Sequence, residues 1–111
     1  MSVGSSDAWP PPHYTLGEVT SAFSNDRFVV PARVARHLRS CGWDRAFVCD
    51  CVLALGIESF HKSVPHRTRL DVWLDIYRPV FRGERMYVKL TVHERDGWFL
   101  VLSFCLDGSD H

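Results

Sequence analysis

The spacing of hydrophobic positions changes once along this chain. Up to about residue 56 they recur at helical intervals, and beyond it they alternate. TLGEVTSAFS, from Thr15, opens with Thr15 and Glu18 at capping-box spacing and sets Leu16, Val19 and Phe23 on one side, which predicts a first helix. Phe28-Val29-Val30 is β-branched and closed by Pro31, the pattern of a brief edge strand. Pro31 also suits the first turn of a second helix over Ala32–Cys41, which Gly42 would stop. That helix sets Val34, Leu38 and Cys41 on one side and Arg33, Arg36 and Arg39 along another. Asp44 is placed to cap a third helix with a buried stripe of Phe47, Val48, Cys51, Val52 and Leu55, ended by Gly56.

Four strands are expected after Gly56. Residues 57–63 form the first, ending before Pro65. Residues 70–78 alternate, with Leu70, Val72, Leu74 and Ile76 on one face and Asp71, Trp73, Asp75 and Tyr77 on the other. Residues 85–94 and 98–106 flank Arg95-Asp96-Gly97. A three-residue loop with Gly97 left-handed pairs Glu94 with Trp98, Val92 with Leu100, Leu90 with Leu102, Val88 with Phe104 and Met86 with Leu106. Every pair beyond the first is apolar, and a two-residue turn would spoil that match. The opposite face then carries Tyr87, Lys89, Thr91 and His93 across from Cys105, Ser103, Val101 and Phe99. The fold class is α+β, a mostly antiparallel sheet with helices packed on one side.

Composition narrows the picture. The 111 residues suit one domain over 13–111, preceded by a polar, proline-rich leader over 1–12 that reads as disordered. No apolar run is long enough to span a bilayer and no secretory signal is evident, so a cytoplasmic protein is expected. Cys41, Cys49, Cys51 and Cys105 lack redox or zinc-knuckle spacing and read as free, mostly buried thiols, with no metal site. Net charge is zero, yet residues 60–89 hold seven cations against three acids, a local excess of four. Such a segment can contact phosphates, although a solvated, ion-paired sheet face has the same composition.

FHKS, DVWLDIYRP, MYVKLTV and LVLSF follow one another between residues 60 and 104. In order and spacing they resemble the FYKS, WQDVYRP, YLKITV and LIVSF segments of the MqsR toxin family, and the helical first half matches that family in layout. The resemblance implies a RelE-like fold and a toxin of a type II toxin–antitoxin system. The implied activity is metal-free, sequence-selective cleavage of mRNA near GC-containing triplets, without a cofactor. It also implies a cognate antitoxin with a zinc-binding part and a helix-turn-helix part, through which any DNA contact would run, and no membrane partner.

Cleavage without a metal requires a base for the 2′-hydroxyl, charge to stabilise the phosphorane, and an acid for the leaving 5′-oxygen. The resemblance maps catalytic positions onto Lys62 and Tyr87. Lys89 shares the Tyr87 face, and His93 is the favoured histidine because register aims it there, ahead of His66. His61 should point away from Lys62 along a regular strand. Arg78, Arg67, Arg69 and Arg85 are candidate RNA-binding residues. Each also has a plain alternative: a solvated lysine, a sheet aromatic, an ion-paired arginine or a capping imidazole. Two positions depart from the family, whose glutamine is Leu74 and whose lysine is Cys105 here. Neither replacement supplies the lost donor, which leaves a catalytically impaired RNA- or antitoxin-binding protein as the alternative.

Overall fold

The computed structural model describes residues 11–69, 71–93 (backbone only at His93) and 97–108. Most of the expected leader, Leu70, the strand-end residue Glu94 and residues 95–96 of the expected loop lie outside the described residues. Among the described residues are three helices, α1 (Leu16–Ser24), α2 (Ala32–Cys41) and α3 (Arg45–Leu53). Six strands accompany them: β1 (Phe28–Val29), β2 (Phe60–Pro65), β3 (Trp73–Tyr77), β4 (Val80–Phe81), β5 (Glu84–His93) and β6 (Trp98–Leu106). The sheet runs β1-β6-β5-β3-β2, antiparallel except where β1 joins β6, and β4 pairs with β5. The α+β expectation holds, and no described helix is long and apolar enough to cross a membrane.

Local chemistry explains the helix ends. Thr15 Oγ1 accepts the Glu18 N–H at 3.1 Å, and the Glu18 carboxylate accepts the Thr15 N–H at 2.9 Å. Asp44 accepts the Phe47 N–H at 2.9 Å, and Gly42 closes α2 at φ +76°. α3 stops before Gly56, with Ala54 at its end, and a 3-10 turn over Ile57–Ser59 delays β2 until Phe60. β2 also includes Pro65, paired with Trp73; as the last strand of the sheet it has a side on which a missing N–H breaks no ladder bond.

The core lies between the helices and one sheet face. Val19, Phe23, Val34, Leu38, Val48 and Val52 meet Tyr77, Met86, Val88, Leu90, Val101 and Phe104. Asp75 is buried on the β3 position paired with core residue Leu90, and its carboxylate accepts the N–H groups of His13 at 3.0 Å and Tyr14 at 2.9 Å. Those bonds compensate for burying the charge and hold the chain entering α1 against the sheet. By alternation the more apolar row of β3, Leu74 and Ile76, lies on the face away from the helices.

The β5–β6 register agrees with expectation at the open end, where Met86 pairs with Leu106 and Val88 with Phe104. It slips by one between Lys89 and Leu90. Leu90 then pairs with Val101, Val92 with Phe99, and Trp98 with His93 rather than Glu94. The expected three-residue loop is therefore wrong, although Gly97 is left-handed at φ +78°. Residues 99–102 are apolar at every position, so alternation could not choose among them. The core takes Phe99 and Val101, and Leu102 becomes the extra residue of a bulge. β4 was not foreseen. It folds onto β5 through Arg82-Gly83, both at positive φ (+52° and +82°), the backbone of a type I′ turn.

Candidate functional site

The face opposite the helices carries one cross-strand row. Lys62 of β2 pairs with Ile76 of β3, Ile76 pairs with Lys89 of β5, and Lys89 pairs with Ser103 of β6. Directly opposed residues share a face, so two lysines flank one buried isoleucine. Two interstrand steps put their Cα atoms about 10 Å apart, and lysine stems are long enough for both ammoniums to converge on a group above Ile76.

Tyr87 lies two residues from Lys89 on the same face and pairs with Cys105, as the expected register required. Lys89 Nζ is 5.9 Å from the Tyr87 ring centroid. Burial, with Cys105 next, pushes the phenol above its usual range against the lowering charge of Arg78. Tyr87 thus keeps its proton at neutral pH and can donate a hydrogen bond, whereas a basic role would need the opposite shift. Cys105 is buried, and burial also raises its thiol, so it stays neutral. Arg78 is paired with Asp107 at 2.8 Å and half exposed, beside the Tyr87 end of the row.

His61 overturns its expectation. The β2–β3 register shifts between Phe60, paired with Tyr77, and Lys62, paired with Ile76, so His61 is the extra residue of a second bulge. The strand is not regular there, and the side chain does not simply point away from Lys62. Burial first, then the charges of Arg78 and Lys62, hold its pKa below the ordinary value, against Asp107. A partly covered imidazole beside two cations is neutral at pH 7 and can accept a proton. Alternation gave no hint of this, because a bulge leaves no mark in a short polar stretch.

The other candidates are placed variously. His93 ends β5 opposite Trp98, and its side chain lies outside the described residues. His66 Nδ1 accepts the N–H groups of Thr68 at 3.1 Å and Arg69 at 3.2 Å, which makes it a turn-forming imidazole. Arg67 and Arg69 are exposed in the β2–β3 connection, beyond Pro65 and so at least about 10 Å along the strand from Lys62. Arg85 is exposed on β5, where alternation continues the Tyr87–Lys89 line. All four cysteines are free: Cys51 and Cys105 are buried, Cys49 is half-buried and Cys41 is exposed, contrary to its place in the expected apolar stripe. Burial lifts the Cys51 thiol to about 12, so it is inert packing. No group of three or more His, Cys, Asp or Glu among the described residues is arranged to hold a metal ion.

Comparison with known proteins identifies the family. A relative named "mRNA interferase toxin MqsR", from Escherichia coli (strain K12), is 26% identical over 94 residues, spanning 84% of this chain and 92% of its own length. The profile of the family described as "Motility quorum-sensing regulator, toxin of MqsA" matches residues 11–105, from just before α1 to Cys105 beside Tyr87. The chain therefore belongs to the MqsR toxin family.

Proposed function

We propose that the protein is the toxin of a type II toxin–antitoxin pair and acts as a sequence-selective mRNA endoribonuclease, with Lys62, Lys89, Tyr87 and His61 at its centre. The carrying observation is the row that sets Lys62 and Lys89 on either side of Ile76, with Tyr87 beside it on the same face. In this reading a ribose 2′-oxygen attacks the adjacent phosphorus while its proton passes to the His61 imidazole. The ammoniums of Lys62 and Lys89 stabilise the phosphorane charge that a neutral sheet could not. Tyr87 passes its phenolic proton to the departing 5′-oxygen as the bond from phosphorus to that oxygen breaks, and the proton taken up by His61 returns to the phenolate through solvent. The products are a 2′,3′-cyclic phosphate and a 5′-hydroxyl.

Family membership gives the toxin a cognate antitoxin as partner. The antitoxin's zinc-binding and helix-turn-helix parts, and contact with DNA only through them, belong to the proposal. Two positions favour the impaired alternative: Leu74, on the open face, and Cys105, a buried neutral thiol, stand where the resemblance places a glutamine and a lysine. Lys89 and His61 supply the cation and the base at neighbouring positions, and we favour the active enzyme. Incubating purified protein with a mapped transcript in EDTA, then analysing the new ends, tests this. Cyclic phosphate and 5′-hydroxyl ends are expected; intact RNA, or 5′-phosphate ends, would overturn it.

A further inference from the structure

α2 contains four basic side chains, Arg33, Arg36, His37 and Arg39, and no acid. All four are exposed, and none of the ion pairs formed among the described residues involves its arginines. Helical geometry divides them. Val34 and Leu38 point into the core, Arg36 points directly away from it, and Arg33 and Arg39 lie on opposite flanks.

The Arg33 flank meets the sheet at one defined place. β1 covers β6 only at Phe99 and Leu100. Just past that cover the bulge residue Leu102 turns its carbonyl outward, and Arg33 Nη2 donates to it at 2.9 Å. Leu102 precedes Ser103, the last member of the row that begins at Lys62. Farther along the same flank, Cys41 lies close enough to act electrostatically on Cys105, the partner of Tyr87. The Arg33 guanidinium therefore stands at the sheet edge beside the Ser103 end of the row, and Arg36 and the exposed His37, whose Nε2 lies 3.6 Å from Cys41 Sγ, carry the basic surface around that edge onto α2.

We propose that Arg33, Arg36 and His37 form an RNA-backbone tract that holds the nucleotides flanking the cut, with Arg39, on the far flank, outside it. This rests on the ribonuclease reading for its ligand and extends it to residues away from the chemistry. Arginine forks suit phosphate oxygens, and an exposed imidazole can stack on a base. A path from β2 across β6 onto α2 fits a single strand of about four or more nucleotides. An acidic antitoxin segment is the other occupant such a stripe would attract.

The test measures binding of a fluorescein-labelled single-stranded RNA 20-mer to the folded full chain carrying Lys62→Met, which slows cleavage about 100-fold, across a series of KCl concentrations. Adding Arg36→Ala should weaken binding about three- to tenfold and lower the slope of log K against log salt by about 0.7, the value for one lost phosphate contact on a single strand. Adding Arg39→Ala, the charge-matched control, should change both much less. With Lys62 intact, Arg36→Ala should raise KM and leave kcat unchanged. Equal effects of the Arg36 and Arg39 substitutions overturn the tract. So does an Arg36 substitution that weakens the antitoxin complex and spares RNA. Arg36-dependent binding by a chain with native Lys62 that cuts nothing would support the tract and sink the ribonuclease reading, so the two can fail separately.

Discussion

Replacing Lys62 by methionine removes one charge and keeps the unbranched stem, which isolates the electrostatic part of its role. In-line attack takes the phosphodiester from one negative charge to about two, so an ammonium contributes to the rate through that added charge alone. At about 4 Å and an effective dielectric near 20, one such pair is worth about 4 kcal/mol. Lys62 is only half-buried, and solvent screening lowers this to about 3 kcal/mol, similar to the loss of one oxyanion-hole donor. The rate constant should fall about 100-fold. Lys89→Met should cost a similar factor, because Lys89 flanks the same isoleucine. The double variant should lose less than the product of the two, since both ammoniums address one phosphoryl group. Single-turnover cleavage of an end-labelled RNA at saturating protein measures this, with thermal melting as the check on folding. If Lys62→Met stays within threefold of the parent and melts at the same temperature, the row is not the site of charge stabilisation.

Two other perturbations follow from the same geometry. With the His61 imidazole as the proposed base, the rate should climb as pH rises through a pKa depressed below the ordinary histidine value and then stay level through neutrality; Tyr87, raised above its usual range, adds no alkaline fall below about pH 10. In His61→Gln that acid limb should disappear with most of the rate, and an unchanged pH profile would remove His61 from the chemistry. Tyr77, paired with core residue Val88, has a buried hydroxyl with no hydrogen-bond partner among the described residues, so Tyr77→Phe should stabilise the fold by about 1 kcal/mol, roughly 4–8 °C in melting temperature. A lower melting temperature would mean that the hydroxyl is satisfied.

Helical periodicity and capping chemistry were legible because each rests on few residues at fixed spacing: Thr15 with Glu18, Asp44 with Phe47, and Gly42 behave as their side chains dictate. The pairing of Tyr87 with Cys105 was legible because apolar residues alternate cleanly from Met86 to Leu90. Lys62 came from the family motif, and its place beside Lys89 was hidden. That depends on which strands neighbour β3, a non-local choice absent from any one segment. The partners of Asp75 were hidden for the same reason, since the backbone groups that satisfy it are about sixty residues away along the chain.

Two failures of strand reading have one cause and sit at the two ends of the same row. His61 is the extra residue immediately before Lys62, and Leu102 is the extra residue immediately before Ser103. A regular strand alternates faces. If Phe60 packs toward Tyr77 in the core, its second neighbour Lys62 should face the core as well. The extra residue reverses that parity, carries Lys62 to the open face and leaves His61 beside it. On β6 the core takes Phe104 and then Val101, three positions away, which regular alternation forbids. The extra residue there reconciles the two and turns the Leu102 carbonyl out to Arg33. Each bulge disrupts the ladder locally, and each supplies a group that a perfect sheet could not have presented. The proposed site thus lies where the alternating pattern is broken, which is why a period-two reading found its strands and missed how they are joined into one surface.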